Sequence, residues 1–183
     1  AARLHAAMVE VTLARARSSG LPVHVSLAGD PGGAYAARLR ALGFPVEAQV
    51  DGDLGARLAH ALRGPGRRIA LGTDCVVFAP TWLLDAARVP SPVAFGPSED
   101  GGYWTVSVDG AAAIFRDVPW SSPETLAISR LRATQADLAV SDLPTCYDID
   151  EPPMLARLAA DPRCPPALLP LLGPATGPPP APP

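Results

Sequence analysis

The chain has no lysine. All 15 of its basic residues are arginine, which excludes Schiff-base chemistry on a lysine amine and any phosphate loop that relies on one. Cysteine is also scarce: Cys75, Cys146 and Cys164 are odd in number, widely spaced and form no Cys-x-x-Cys. That usage argues against a disulfide framework and predicts reduced thiols in a cytoplasmic protein. No apolar run approaches the ~20 residues of a membrane span. The amino terminus opens directly into an amphipathic pattern without signal-peptide character. Basic residues form no stripe interleaved with aromatics, and the formal net charge is −3, so a nucleic-acid partner is not expected.

What is present describes one globular domain. The 183 residues are 48% hydrophobic, enough for a single core and too few for two comfortable ones. The arginine bias, with abundant Ala, Gly and Pro, is the signature of a GC-rich genome. Nine of the 23 prolines follow Arg163. The expected organisation is therefore a folded domain over 1–164 and a Pro-rich flexible tail over 165–183.

Hydrophobic periodicity alternates between strand and helix. "AARLHAAMVEVTLARARSSG" reads as a helix closed by Gly20, "LPVHVSLAG" as a strand, and "AYAARLRALGF" as a helix ended by Gly43. "PVEAQV" is a short strand, and "DLGARLAHALRG" a helix capped by Asp53. "RRIALGTDC" is a strand that stops at Gly72, and "APTWLLDAARV" a helix with Pro80 near its start. "VAFGP" and "YWTVSVDG" are strand-like around an acid–glycine turn, and "SSPETLAISRLRATQ" is a helix entered through Ser121 or Ser122 and Pro123. "TCYDIDE" reads as a last strand and "PMLARLAAD" as a last helix. Such alternation predicts a mainly parallel sheet with helices on both faces and ligands beyond the strands' carboxyl ends.

Three acid-bearing stretches stand at those ends: "GTDC", "SEDGGY" and "YDIDEP". Each has a plain structural explanation. Asp74 could cap a helix, the acid–glycine turn could be a hairpin loop, and Asp148 and Asp150 could decorate a solvated strand edge. Trp104 could pack in the core as readily as line a pocket. As a set the stretches point elsewhere: gathered carboxylates repel unless a cation lies between them, and Mg²⁺ or Mn²⁺ with oxygen ligands is the natural neutraliser.

In their order, "LGTDC", "GPSEDGGYW", "VPWSSPETL" and "YDIDEPPMLARLAADPRCP" resemble a bacterial domain-of-unknown-function family. That family is related to nucleotide-diphospho-sugar transferases of the GT-A type, and some of its members carry the name arsenosugar-biosynthesis glycosyltransferase. The similarity runs from the first helix to about Cys164. It implies an α/β, Rossmann-like GT-A fold, here with the family's first strand and glycine-rich nucleotide loop missing, and hence a sheet edge that an oligomer could cover. It implies Asp74 as a metal ligand with Asp148 or Asp150 as a second, using Mg²⁺ or Mn²⁺. Glu99 and Asp100 fall on the acceptor or sugar side as catalytic candidates, orienting or deprotonating a hydroxyl. Gly101, Gly102, Tyr103, Trp104 and Thr73 are candidate substrate contacts.

The function this implies is metal-dependent transfer from a nucleotide-activated donor to a small-molecule acceptor. Glycosyl transfer from a nucleotide-diphospho-sugar leads. Nucleotidyl transfer from a nucleoside triphosphate, resembling phospholactate guanylyltransferases, is an alternative. A degenerate, non-catalytic GT-A binding domain is the other.

Overall fold

The computed structural model describes residues 2–110 and 112–172. Six helices and six strands occupy them: α1 (Ala2–Ser18), β1 (Val25–Leu27), α2 (Ala34–Ala41), β2 (Val46–Ala48), α3 (Leu54–Ala61), β3 (Arg67–Leu71), α4 (Pro80–Arg88), β4 (Val93–Pro97), β5 (Tyr103–Asp109), α5 (Thr125–Gln135), β6 (Val140–Asp142) and α6 (Pro152–Ala160). The breakers act where their chemistry requires. Gly20 and Gly43 end α1 and α2 at positive φ, a conformation open to glycine at little cost. The Asp53 carboxylate accepts from the Ala56 amide at 2.8 Å and starts α3. Pro80 and Pro152 sit in first turns, where no intrahelical N–H is lost.

The strands form two sheets. β1 and β2 pair in parallel, and the larger sheet has the order β3-β5-β4-β6. β3, β4 and β6 run in one direction and β5 alone runs against them. Residues 98–102 turn the β4–β5 hairpin, so the acid–glycine stretch is a hairpin loop. The ladder slips between Gly96 and Pro97: Tyr103 faces Pro97 while Thr105 faces Gly96, leaving Trp104 as an extra, bulged residue. The bulge sends Trp104 into one core cluster while Val106 and Val108 pack in another.

α1 buries Met8, Val9, Thr12, Leu13 and Ala16 along one stripe. Its half-buried Arg15 donates to the Phe78 carbonyl at 2.8 Å and the Arg163 carbonyl at 2.7 Å, tying α1 to two distant loops. The largest cluster gathers Phe78, Trp104, Leu158 and Leu168 with Cys75 and Cys146.

Three expectations need correction. "TCYDIDE" forms no strand: apart from a single bridge between Ser98 and Cys146, residues 143–151 are irregular. The edge position beside β4 is taken by β6, which starts five residues earlier, at Val140, and Pro144 cannot donate to a ladder. Pro123 precedes α5 rather than opening it. The tail does not begin at residue 165, because Leu168 is fully buried and Leu172 packs against the same cluster. Burying one leucine is worth roughly 1.5–3 kcal/mol, enough to hold this segment down. Residues 173–183 of the expected tail lie outside the described residues. Among the described residues, no helix is long and apolar enough to cross a membrane.

Candidate active site

Asp74 stands just past the end of β3. The Gly72 amide donates to the Trp104 carbonyl at 2.8 Å, continuing the β3–β5 pairing by one bond. A Cβ on Gly72 would stand 2.8 Å from Asp74 Oδ1, so glycine is what lets the carboxylate fold back over the strand end. Cys75, Val76, Val77 and Phe78 then plunge into the core. This buried run pins Asp74, half-exposed, at the core's mouth.

A second segment is laced to the first. The Ile149 amide donates to the Asp74 carbonyl at 3.1 Å. The Cys146 amide donates to the Pro97 carbonyl at 3.0 Å, and the Glu99 amide to the Cys146 carbonyl at 3.1 Å. Trp104 Nε1 donates to the Pro144 carbonyl at 3.0 Å. The Ser98 hydroxyl, almost buried, donates to Asp148 Oδ1 at 2.9 Å. Irregular backbone is thus held in place by the hairpin beside it.

The acids feel one another. Burial, and then the Asp74 carboxylate, push the Asp148 carboxyl up to about 7; Asp100 and Asp150 add to the rise and the Ser98 hydrogen bond opposes it. Asp74 is raised as well, by burial first and then by Asp150 and Asp100, against the backbone amides of residues 74 and 75. Three acid-bearing stretches, distant in sequence, therefore share one electrostatic environment. Asp74 and Asp148 are its desolvated centre, and Asp100 and Asp150 are exposed at its rim.

The other candidate residues go elsewhere. Glu99 turns away from its neighbour Asp100: both its oxygens accept from Arg157, at 2.6 and 2.7 Å. That pairing lowers its carboxyl below the ordinary range, which suits a structural anion better than a base. Gly101 is required, at φ +90°, by the backbone of Pro123, whose carbonyl would collide with any Cβ there. Its own carbonyl accepts the Leu126 amide of α5 at 2.9 Å. The close approach that the paired glycines suggest is thus, at Gly101, made by this chain itself. The Gly102 amide donates to Asp100 Oδ1 at 2.9 Å and fixes that side chain in the turn.

Tyr103 packs between Phe95 and Trp120. Trp104 is only 1% exposed and stacks on Phe78 with ring centroids 5.3 Å apart. It supports the site from beneath and offers no face to a ligand. Thr73 is half-buried between Gly72 and Asp74. Two contributors carry no sequence signal: Ser98, an ordinary turn serine until Asp148 is placed beside it, and Arg157, which reads as one more solvated charge on α6.

Among the described residues, no three His, Cys, Asp or Glu side chains are grouped to hold an ion by themselves. Mg²⁺ on a phosphate substrate does not need such a cage, since it is held by one or two carboxylates, water and the phosphates. Asp74 and Asp148 fit that requirement. They are oxygen donors, mutually repelling and short of positive partners.

The fold these elements build is shared with a solved bacterial structure. The structure superposes on a crystal structure from Desulfovibrio desulfuricans G20, provisionally named a nucleotide-diphospho-sugar transferase, with a TM-score of 0.79. The match covers 93% of this chain and 82% of that one at 21% identity, so it establishes the Rossmann-like GT-A fold and nothing finer. The chain belongs to the bacterial family DUF2064, described as uncharacterized proteins conserved in bacteria, which it matches over residues 12–122. That match takes in Asp74 and the hairpin turn and stops before Asp148. No curated protein matches the chain.

Proposed function

We propose that the protein is a metal-dependent transferase acting on a nucleotide-activated donor, with glycosyl transfer from a nucleotide-diphospho-sugar as its reaction. The observation that carries this reading is the unneutralised pair Asp74 and Asp148 at the carboxyl end of β3, on a fold shared with a protein named for that chemistry. Asp74 and Asp148 would hold Mg²⁺ or Mn²⁺, and Asp150 at the rim could add an oxygen. When bound, such an ion supplies positive charge that stabilises a departing diphosphate.

The chain's own residues supply the rest. Ser98 donates to one oxygen of Asp148 and so holds that carboxylate against the hairpin turn. Asp100 is the acid free to accept a hydrogen bond from an acceptor hydroxyl, orienting it or taking its proton. Glu99, held by Arg157, fixes the turn that presents Asp100.

Calorimetric titration of nucleotide sugars with Mn²⁺ tests the reading. One donor should bind only with metal, and Asp74→Asn should abolish that binding; equal affinity in the variant would remove Asp74 from the site. Products separate the transfer types: a released nucleoside diphosphate marks glycosyl transfer, and pyrophosphate from a nucleoside triphosphate marks nucleotidyl transfer. No binding of any donor would leave a non-catalytic domain.

A further inference from the structure

Trp104 meets both segments that carry the paired carboxylates, and it meets them through its two ends. Its backbone carbonyl accepts the Gly72 amide at 2.8 Å, two residues before Asp74. Its indole Nε1 donates to the Pro144 carbonyl at 3.0 Å, four residues before Asp148. Between these ends the ring stacks on Phe78 with an interplanar angle of 16°, closing off the buried run that follows Asp74. Trp82 packs on the same ring with centroids 6.0 Å apart. Two local features seat the indole. The bulge turns it out of the ladder and into the core, a use of bulges found beside active sites. Gly96 does not lie in the left-handed region, yet a Cβ on it would overlap the indole at Nε1 and Cε2. Space, not backbone conformation, requires glycine there.

We propose that Trp104 is a positioning residue that sets the span between Asp74 and Asp148, with Gly96 as its seat. The 143–151 segment has no helix or strand to hold its shape. Backbone bonds fix it at Leu143, which donates to the Phe95 carbonyl, at Cys146, which donates to Pro97, and at Ile149, which donates to Asp74. Between the first two of these, Pro144 has no amide to offer the hairpin, and the indole N–H takes its carbonyl instead. Trp104 thereby ties the start of the Asp148 segment to the strand end that presents Asp74. It touches no substrate; it acts through the two carboxylates. The reaction it serves rests on the proposed function, whereas the positioning itself needs neither donor nor metal.

Amide hydrogen exchange of the protein without donor or metal tests the positioning. Trp104→Phe keeps a ring on Phe78 and removes the Nε1–H. The Cys146 and Ile149 amides should then speed up by about tenfold more than those of Val108 in β5 and Ala133 in α5, the loss of one hydrogen bond from the local opening equilibrium. A residue that only stabilises the fold would speed all four amides alike, and that pattern would overturn the proposal. Gly96→Ala leaves the N–H in place but pushes the indole off its seat. It should reproduce the selective loss, and it carries the test if Trp104→Phe does not fold. A Mn²⁺ titration with the nucleotide sugar that the wild-type protein binds should show about tenfold weaker metal affinity in either variant, at one ion per chain. Unchanged affinity would overturn the proposal. If no nucleotide sugar binds the wild-type protein, the proposed function falls, and the exchange pattern alone decides the role of Trp104.

Discussion

Two groups of acids meet at the 143–151 segment, and the fold treats them in opposite ways. On one side Glu99 is clamped by Arg157, whose guanidinium lies 3.8 Å from the Tyr147 ring centroid. Further along, Asp161 accepts from the Tyr147 hydroxyl at 2.9 Å and is bridged by Arg163 at 2.7 Å. Every acid there has a cation. On the other side Asp74 and Asp148 are desolvated, repel one another, and have only a serine and backbone amides for support. Folding satisfies its structural carboxylates and leaves this pair unsatisfied. A destabilised, uncompensated pair at a strand end is what a site looks like when its counter-charge arrives with the substrate.

The sharpest way to break that contrast is to neutralise each group in turn. Asp148→Asn should weaken metal-assisted donor binding by about 100-fold or more, since even outer-sphere changes cost 10–100-fold at metal sites. The same change should raise the thermal stability of the metal-free protein, because it removes a repulsion. Glu99→Gln should leave metal affinity unchanged. A matched loss in both variants, measured by calorimetry, would erase the distinction between the groups.

Next in size is the hinge joining them. Gly101→Ala puts a side chain into the Pro123 backbone at positive φ, and should cost about 2–4 kcal/mol in urea unfolding. Gly102→Ala, which meets only the Asp100 side chain, should cost well under half of that. Equal costs would show that the turn is not fixed by the approach of α5.

The pH response should divide along the same line. Asp148 has a folded pKa raised to about 7, so its stabilising contribution is complete below the ordinary carboxyl range and is lost as pH rises through 7. Asp161 is lowered to about 2, chiefly by Arg163. Its contribution is present above the ordinary carboxyl range and is lost as pH falls through 2. Denaturation midpoints from acid to neutral pH should therefore lose their downward slope near 7 in Asp148→Asn and keep it in Arg163→Ala. The smallest effect is expected at Arg157→Ala. Its exposed ion pair with Glu99 should contribute no more than about 1 kcal/mol, and its removal should not disturb metal binding.

Much of this was legible in the sequence, for identifiable reasons. Gly20, Gly43, Asp53 and Pro80 act within one or two residues of their own position, so they mark helix ends without knowledge of the fold. Asp74 is visible because an apolar strand halts abruptly before it. β6 is not, since "AVSD" is too short and too polar to stand out, and its strand character comes only from pairing with β4. The fate of Glu99 is equally hidden. Adjacent acids look equivalent in sequence, and only Arg157, 58 residues away, separates one from the other. Trp104 is misleading for a related reason: a one-residue bulge, invisible in composition, turns it from the turn's mouth into the core.

The most direct measurement is a Mn²⁺ titration of the protein in the presence of a nucleotide-sugar donor, followed by the paramagnetic resonance of the free ion. The account predicts one bound ion per chain, lost in Asp74→Asn and in Asp148→Asn and retained in Glu99→Gln. Retention of that ion in both aspartate variants would contradict it.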